Sequence, residues 1–417
     1  MGSPLIFAFW LLLFIVFYSY IGYGILLGLL VTLKRIFKKT PSSTVGFSEN
    51  DLPEVTFLVA AYNEEAWIDD KIRNSLALDY PKSKIHFAFV TDGSTDATME
   101  RIINFKNTVD AEGGNPDEIG KGYKIELFHE AARRGKIAAV ERVMPFVTTP
   151  IVIFTDANTN INPEAVRCIV RHYADSKVGA VAGEKRVQMS GEASGAGEGL
   201  YWKYESLLKK WDSELNTTVG AAGELFSIRT DLYAPVEKDT LIEDFVMTMR
   251  IAERGFRIIY EAEAFAFENH SASIAEELKR KIRISAGGLQ AVWRLRSLLN
   301  PLKNSVLSFQ YISHRVLRWT LAPLALPLIF ILNLLIILRG GELSNLEFMI
   351  YEFLFWAQVA FYGAAILGWF FEQMKMKVKA FYVPFYFCMM NYSVYRGLGR
   401  LISGRQSVVW EKAKRAA

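Results

Sequence analysis

An uncharged apolar stretch at the start of the sequence limits what this chain can fold into. From Pro4 to Leu33 it reads PLIFAFWLLLFIVFYSYIGYGILLGLLVTL, with no Asp, Glu, Lys or Arg. As a helix this stretch is about 45 Å long, which exceeds the roughly 30 Å hydrocarbon core of a bilayer. It lacks the basic start, short apolar region and small-residue cleavage site of a signal peptide. The sequence therefore predicts a transmembrane helix over residues 1–33.

Basic residues after this helix predict its orientation. The segment KRIFKK, Lys34 to Lys39, follows at once, and an excess of Lys and Arg beside a span marks the cytoplasmic side. We therefore expect an integral protein of the plasma or inner membrane whose polar middle faces the cytoplasm. The chain has 417 residues, of which 51% are hydrophobic, and a net charge of +4. This composition indicates a large buried core and gives no sign of nucleic-acid binding.

A second apolar region lies in the C-terminal third. Leu321 to Leu338 and Phe353 to Phe371 are each predicted to span the membrane. The stretch from Ala380 to Tyr395 is shorter and contains Pro384 and Asn391, so a short span and a re-entrant segment both fit it. The expected divisions of this part of the chain are amphipathic interface helices over 273–315, a transmembrane region over 316–398 and a basic cytoplasmic tail over 399–417.

Short β-rich runs separated by helical stretches characterise the polar middle, residues 34–272. The clearest predicted strands are VTFLVAAY, IHFAFVTD, KIELFHE, PIVIFTDA and VGAVAGE. This alternation predicts an α/β domain with a mostly parallel sheet. Such sheets bind ligands beyond the carboxyl ends of their strands. Three of the runs end there in polar or acidic residues, YNEE, TDGSTD and TDANTN, which favours a ligand that combines phosphates with a divalent cation.

Each of these strand ends also has a purely structural interpretation. The Asp and Ser residues of DGSTD are good turn and helix-cap residues, and the acids of YNEE suit the start of a helix. For Asp156 in TDANTN the metal interpretation is stronger, because Mg²⁺ and Mn²⁺ are usually held by one or two carboxylates plus substrate phosphates. Asp156 with the nearby Asn158 is then a sufficient contribution from the protein.

Seven motifs in a fixed order resemble one known family. They are AAYNEE (60–65), DGSTD (92–96), RRGK (133–136), TDAN (155–158), GAAGELFSIR (220–229), IED (242–244) and RKIR (280–283). Together they resemble the membrane-embedded family 2 glycosyltransferases, which include the synthases of cellulose, chitin, hyaluronan and poly-N-acetylglucosamine. The resemblance covers nearly the whole chain. It implies an α/β domain of the GT-A type with transmembrane helices, a nucleotide-sugar donor, a glycan or lipid acceptor, contact with membrane lipids, and Mg²⁺ or Mn²⁺ as cofactor.

The resemblance also implies roles for individual residues. Asp244 matches the general base, which takes the proton of the acceptor hydroxyl in an inverting transfer. Asp156 and Asn158 match the metal site, where the family commonly has a second Asp instead of Asn158. The residues implied in nucleotide-sugar binding are Tyr62, Glu64, Asp92, Lys136, Asp156, Arg280 and Arg283. Those implied in acceptor binding are Gly223, Glu224 and Glu243.

The main departure from the family concerns the length of the product. Processive members have a Trp directly after the RKIR-type motif, where this chain has Ile284, and an aliphatic side chain is no stacking platform for a sugar ring. Two versions therefore stay open: extension of a β-glycan from a UDP-sugar, and addition of one sugar to a lipid such as ceramide or diacylglycerol.

Two further alternatives fit the motifs less well. A polyprenyl-phosphate glycosyltransferase needs no general base for its phosphate acceptor, and a non-catalytic scaffold leaves the retained acids and Lys136 unexplained. At the other end of the chain, Trp410 in RQSVVWEKAKR resembles a family segment that gates the nucleotide site.

Overall fold

The computed structural model describes residues 4–37, 46–110, 122–188, 194–269, 273–339, 343–374, 376 and 378–404. These residues form two compact units. The helical unit contains the described residues of 1–32, 189–208 and 272–406, and the α/β unit contains those of 33–188 and 209–271. The segment 194–208, which the sequence analysis assigns to the α/β domain, thus groups with the helical unit. Trp410 and the tail around it lie outside the described residues.

The α/β unit is built on a sheet that, within the described residues, has eight strands. Their bounds are β1 Val55–Ala61, β2 Ile85–Asp92, β3 Lys124–Glu130, β4 Ile151–Asp156, β5 Asn160–Ile161, β6 Val178–Gln188, β7 Leu225–Arg229 and β8 Arg257–Asn269. The order across the sheet is β3-β2-β1-β4-β7-β6-β8-β5. The first four strands in this order run parallel, as do β6 and β8, whereas β7 is antiparallel to both of its neighbours and β5 is antiparallel to β8.

The predicted mostly parallel sheet is confirmed, and the five predicted strands correspond to β1, β2, β3, β4 and β6. Of the four parallel strands β3, β2, β1 and β4, the last three are formed by mostly apolar runs. In β1, for example, the side chains of Val55, Phe57 and Val59 have no exposed surface. Strands covered by helices on both faces bury both faces, so they need no polar alternation. The register pairs Ala60 with Asp156 and Asp92 with Glu130, so the carboxyl ends of these strands reach one edge.

Helices complete both units. Their bounds are α1 Pro4–Phe17, α2 Tyr23–Phe37, α3 Ile68–Leu76, α4 Thr98–Asp110, α5 Lys136–Val143, α6 Ala165–Val170, α7 Ser194–Leu215, α8 Glu243–Glu253, α9 Ile274–Arg294, α10 Ser305–Tyr311, α11 Leu317–Trp319, α12 Leu321–Leu338, α13 Asn345–Gln373 and α14 Lys379–Ile402. A π-helical turn, Tyr18–Gly22, joins α1 to α2, and a second one, Ile312–Val316, joins α10 to α11.

Three helical stretches among the described residues are long and apolar enough to cross a membrane: Pro4–Phe37, Leu321–Leu338 and Asn345–Gln373. They coincide with the three spans that the sequence analysis predicts, and they make this a membrane protein. The fourth stretch, for which two arrangements stay open, belongs to α14. This helix continues through Pro384 without a reversal of the chain.

A buried carboxylate organises part of the helical unit. Glu205 of α7 has a side chain that is 3% exposed, and its Oε1 lies 2.5 Å from Arg315 Nη2. His314 Nε2 lies 3.3 Å from the same oxygen, and Arg318 Nη1 lies 3.4 Å from Oε2. A buried carboxylate needs partners, and these three basic side chains provide them. The contacts connect α7 to the segment that carries His314, Arg315 and Arg318.

Candidate functional site

A cleft lies in the α/β unit at the carboxyl edge of β1, β2 and β4. The position is the one expected for a ligand site of an open α/β sheet. Six of the residues that the sequence analysis assigns to nucleotide-sugar or metal binding line this cleft: Tyr62, Glu64, Asp92, Lys136, Asp156 and Asn158. The structure therefore brings the four motifs that follow β1, β2, β3 and β4 to one place.

The loops after β1 and β2 are fastened to each other. Asn63 has a left-handed backbone with φ 52°, and its Oδ1 accepts a 2.8 Å hydrogen bond from the Thr95 backbone N–H. The Asn63 N–H donates to Ser94 Oγ at 3.2 Å, and the Glu64 N–H donates to Thr98 Oγ1 at 2.7 Å. The YNEE and DGSTD loops thus stabilise each other through hydrogen bonds. Polar residues of these loops therefore have a structural role in addition to their position at the cleft.

Asp92 fixes the loop that leads into α5. Its Oδ2 accepts hydrogen bonds from the backbone N–H groups of Arg134, at 2.9 Å, and Gly135, at 2.6 Å. Arg142 Nη2 lies 3.4 Å from its Oδ1. The next residue, Gly93, has φ +69°, and a β-carbon there would lie 2.7 Å from the Arg133 backbone nitrogen. This close approach requires glycine and sets where Lys136 enters the cleft.

Arg133 is a cleft residue that the sequence analysis does not single out. Its guanidinium carbon lies 3.6 Å from the centre of the Tyr62 ring, and both side chains line the cleft. Stacking of a guanidinium on an aromatic face is a favourable cation–π contact. The signal in the sequence is the first Arg of the RRGK motif, which lies three residues before Lys136.

Lys136 connects three elements through its ammonium group. Its Nζ lies 2.7 Å from Asp156 Oδ1, at the end of β4, and 3.4 Å from Glu243 Oε1, at the start of α8. Burial lowers the pKa of Lys136, but the charges of Asp156 and Glu243 outweigh this effect and raise it, so the ammonium stays charged. Burial raises the pKa of Asp156, and the nearby Lys136 opposes that rise.

The Asp244 carboxylate and the Lys136 ammonium both lie next to Gly223. A β-carbon at Gly223 would lie 3.2 Å from Asp244 Oδ2 and 3.3 Å from Lys136 Nζ, so glycine leaves the space between these two charged groups. Burial raises the pKa of Asp244 to about 7; the charge of Glu243 adds to the rise and that of Lys136 opposes it. A carboxylate that titrates near neutral pH is suited to accept a proton in catalysis.

The loop before β7 is held against α8. The Ala221 N–H donates to Thr248 Oγ1 at 3.1 Å, and that hydroxyl donates to the Asp244 backbone carbonyl at 2.8 Å. Gly220 has φ +79°, and a β-carbon there would lie 2.1 Å from a ring carbon of Phe245. The GAAGE segment, which is predicted to contact the acceptor, is therefore fixed to the helix that carries Asp244.

A buried lysine beneath Asp156 is a second residue that the sequence analysis misses. Lys71 of α3 is 1% exposed, and its Nζ donates to Thr155 Oγ1 and to the Thr159 carbonyl, both at 2.9 Å. Burial lowers the pKa of Lys71 to about 7, against the attraction of Asp156. A signal exists in the sequence, because helical spacing places Lys71 on the same face as the apolar Ile68 and Ile72.

The two predicted arginines belong to the helical unit. Arg280 and Arg283 lie on α9, where Arg280 Nε is 3.3 Å from Glu277 Oε2. Their role toward the nucleotide sugar therefore stays a prediction. Gly223, Glu224 and Glu243, predicted to contact the acceptor, lie together in the α/β unit around Lys136 and Asp244.

Comparison with known proteins identifies the family. Residues 53–287, more than half of the chain, match the model of glycosyltransferase like family 2. Poly-beta-1,6-N-acetyl-D-glucosamine synthase of Staphylococcus aureus (strain COL) is 27% identical over 252 residues, which are 59% of this chain and 57% of the relative. The synthase of the same name from Staphylococcus epidermidis is 24% identical over 261 residues, 61% of this chain and 58% of the relative. The chain thus matches less than two thirds of the length of these relatives.

A solved structure shares the fold over nearly the whole chain. The mannosyltransferase PcManGT from Pyrobaculum calidifontis, in complex with GDP-Man and Mn²⁺, superposes with a TM-score of 0.67 at 20% identity, covering 96% of this chain and 100% of that chain. The fold agreement and the family match point the same way as the motif order. The chain belongs to glycosyltransferase-like family 2, with an α/β unit of the GT-A type and helices suited to a membrane.

Proposed function

We propose that this protein is an inverting, metal-dependent glycosyltransferase that moves a sugar from a nucleotide-diphosphate sugar, a UDP-sugar above all, to a growing β-glycan at the cytoplasmic membrane face. The observation that carries this proposal is the meeting of Lys136, Asp156, Glu243 and Asp244 at Gly223, beside the cleft at the strand ends. It supplies a cation for the diphosphate and a carboxylate for the acceptor within one small volume.

Asp244 performs the proton transfer in the proposed reaction. The acceptor hydroxyl oxygen forms a bond to the anomeric carbon while the bond from that carbon to the diphosphate oxygen breaks, and the hydroxyl proton passes to the Asp244 carboxylate. The nucleoside diphosphate leaves with the bonding electron pair. Because attack comes from the face opposite the leaving group, an α-linked donor gives a β-linked product. The Lys136 ammonium stabilises the negative charge that grows on the diphosphate.

The oxygen donors beside Lys136 fit a divalent cation. In the part of the chain that the structure describes, no cluster of three or more His, Cys, Asp or Glu side chains is placed to hold a metal. Asp156 and Asn158 line the cleft and offer a carboxylate and an amide oxygen, and such a partial set suits Mg²⁺ or Mn²⁺, which complete their coordination with substrate phosphates. Bound there, the cation would neutralise the diphosphate charge.

The names of the relatives support a choice of donors to test. Two of them are synthases of poly-β-1,6-N-acetylglucosamine, and the mannosyltransferase structure holds GDP-Man with Mn²⁺. UDP-N-acetylglucosamine and GDP-mannose are therefore the first donors to compare. We assign Tyr62, Glu64, Asp92 and Lys136 to the nucleotide sugar, and Arg280 and Arg283 of α9 to the diphosphate side.

The cytoplasmic orientation and the domain boundaries are part of the same proposal. Lys34 and Arg35 lie in the last turn of α2, at the end of the first candidate span. By the charge rule they mark the cytoplasmic side, where nucleotide sugars are available. We assign 1–33 to the first span, 34–272 to the catalytic domain, 273–315 to interface helices, 316–398 to the C-terminal membrane region and 399–417 to the tail.

Ile284 supports a second candidate function, a glycolipid synthase that adds one sugar to a lipid. The side chain lies on α9 directly after Arg283, where processive family members carry Trp. Loss of that aromatic ring removes a surface on which a growing glycan would stack. The two candidates share the donor site and the base, and they differ in the product.

Mass analysis of the product separates these candidates. Purified protein in detergent is given Mn²⁺, a membrane lipid extract and radiolabelled UDP-N-acetylglucosamine or GDP-mannose, with Asp244→Asn as the control. A ladder of lengthening glycans is expected. A single sugar on an extractable lipid would identify the glycolipid synthase instead, and transfer by the control at the wild-type rate would contradict the proposed role of Asp244.

A further inference from the structure

A buried lysine lies behind the loop that is predicted to bind the acceptor. Lys185 of β6 has a side chain that is 3% exposed, and its ammonium contacts Glu224 Oε1 and Glu268 Oε2. Glu268 is also 3% exposed, whereas the Glu224 side chain, at 14%, keeps part of its surface open. A charged group this deep in a protein requires partners, and these two carboxylates provide them.

We infer that Lys185 is a positioning residue that holds the Glu224 carboxylate toward the acceptor sugar. The inference rests on the proposed function. It concerns a lysine that none of the seven motifs contains. Glu268, near the end of β8, is the second carboxylate that this lysine contacts.

The backbone of Glu224 is fixed independently of its side chain. The Glu224 carbonyl accepts a 3.0 Å hydrogen bond from Thr155 Oγ1, beside Asp156. The next residue, Leu225, packs so close to Gly183 of β6 that a β-carbon there would lie 2.8 Å from the leucine side chain. With the backbone held by β4 and β6, the contact with Lys185 acts on the direction of the Glu224 carboxylate.

The position of Glu224 suits acceptor recognition. It follows Gly223, which lies between Lys136 and Asp244, and its negative charge is close enough to raise the pKa of both Asp156 and Asp244. A carboxylate accepts hydrogen bonds from sugar hydroxyls at either oxygen. Without Lys185, the same carboxylate would be repelled by its acidic neighbours and turn away from them.

A charge-matched double variant separates positioning from folding. Lys185, Glu224 and Glu268 together carry a net charge of −1. The variant K185M/E268Q keeps this net charge and leaves no unpaired buried lysine, but it removes the ammonium that holds Glu224. E268Q alone keeps the contact between Lys185 and Glu224, and K185R tests whether another cation restores the function. Arg186→Met removes a cation from the next residue of β6, whose guanidinium stacks on Phe265 at 3.5 Å.

The measurement is steady-state transfer from UDP-N-acetylglucosamine or GDP-mannose to a β-1,6-linked N-acetylglucosamine tetramer. K185M/E268Q is expected to raise the KM for the tetramer at least about tenfold, the effect of losing one charge-assisted contact. We expect its donor KM and the slow hydrolysis of the donor without tetramer to stay within about twofold, which shows that the donor site is intact. E268Q, K185R and R186M should keep the wild-type acceptor KM within about threefold.

Each outcome decides the inference. A wild-type acceptor KM in K185M/E268Q, or an equal loss of donor and acceptor binding, would overturn the positioning role. A rise in acceptor KM for R186M as large as that of K185M/E268Q would assign the effect to the strand and overturn it as well. If the wild-type protein transfers sugar from neither donor, the proposed function falls and takes the inference with it.

Discussion

Asp244 is the residue that accepts the acceptor's proton in the proposed reaction, so it must be ionised beforehand. Burial and the charge of Glu243 raise its pKa to about 7, so in the free protein it gains a proton just below neutral pH. We expect kcat/KM to fall about tenfold per pH unit below 7 and to level off above it. In Glu243→Gln the acidic limb should move to lower pH, because one cause of the raised pKa is gone.

A pH–rate series on the wild type, E243Q and Glu253→Gln measures this. Glu253 is at the far end of α8, so E253Q serves as the control and should keep the wild-type limb. An acidic limb that stays in place in E243Q would show that Asp244 does not set it.

The raised pKa of Asp244 also makes a stability prediction. The ordinary pKa of an Asp carboxyl is 3.8, so well below this pH Asp244 is protonated in both the folded and the unfolded chain. There its ionisation does not change the free energy of unfolding. Between pH 3.8 and about 7 the unfolded chain releases the proton while the folded chain keeps it, so the fold loses stability over this range, and the full loss of about 4 kcal/mol remains above pH 7. Asp244→Asn should therefore raise the unfolding midpoint at pH 8 and change it little at pH 4.

Thermal unfolding in detergent at both pH values tests this difference. The control is Asp239→Asn, since Asp239 is an exposed acid in the segment before α8. An equal shift of the D244N midpoint at pH 4 and pH 8 would mean that the ionisation of Asp244 is not the cause.

Several residues of the candidate site could be predicted from the sequence to lie together, and others could not, for a physical reason. Tyr62, Asp92, Lys136 and Asp156 end or follow strands, so local sequence places them at one edge. Lys71 and Lys185 belong to the surroundings of the candidate site through contacts with residues that are distant in the sequence. Lys71 contacts a residue 84 positions away, and Lys185 contacts one 39 positions away. Such pairs depend on how strands and helices pack, which a local pattern does not contain.

At the level of elements, the turn before β7 is a tightly constrained segment. Gly220 combines φ +79° with a Phe245 ring atom only 2.1 Å from where a β-carbon would be. Gly220→Ala should lower the free energy of unfolding by about 3 kcal/mol, from the left-handed backbone and from overpacking together. Gly255→Ala is the matched control, because Gly255 has φ +93° with nothing within 4 Å of the added carbon, and should cost about 1 kcal/mol.

The comparison is read from the unfolding midpoints of the two variants. Equal losses would show that contact with Phe245 adds nothing beyond backbone strain. Since the same segment is fixed to the helix of Asp244, we also expect G220A to lose more transfer activity than G255A.

Helix α7 offers a pair of acids in contrasting settings. Glu205 is buried among His314, Arg315 and Arg318, whereas Glu214 pairs with Arg35 near the surface, with side chains 27% and 51% exposed. Glu205→Gln should destabilise the protein by about 3–5 kcal/mol, because it leaves buried arginines without their carboxylate. Glu214→Gln should cost at most about 1 kcal/mol. Similar midpoints for the two variants would show that the Glu205 cluster is not a stabilising centre.

The elements missed by the sequence analysis are those whose pairing is long-range. β7 begins inside the GAAGELFSIR motif, which reads as a loop with glycines, and it pairs antiparallel with β4 and β6. β5 has two residues and pairs with β8, far along the chain. Short β-rich runs predicted β1, β2, β3, β4 and β6, whereas β5 and β7 are defined by their pairing with neighbouring strands.

On the scale of the whole molecule, the chain crosses between its two units several times. Residues 194–208 belong to the helical unit although the α/β unit continues on either side of them in sequence. No change of hydrophobic period marks that division, because α7 is one helix that contributes to both units. The candidate spans, by contrast, were predictable, since their length and apolar composition are set by the bilayer alone.

The proposed glycosyltransferase activity depends most on the division of roles between Asp156 and Asp244. The direct test compares the wild type with Asp156→Asn and Asp244→Asn. Two quantities are measured for each protein: Mn²⁺-dependent binding of UDP, and transfer of labelled sugar from UDP-N-acetylglucosamine. We expect D244N to bind UDP as the wild type does and to transfer at least about a hundredfold more slowly, and D156N to lose the Mn²⁺-dependent part of binding. Undiminished transfer by D244N, or Mn²⁺-dependent binding that survives in D156N, would contradict this division of roles.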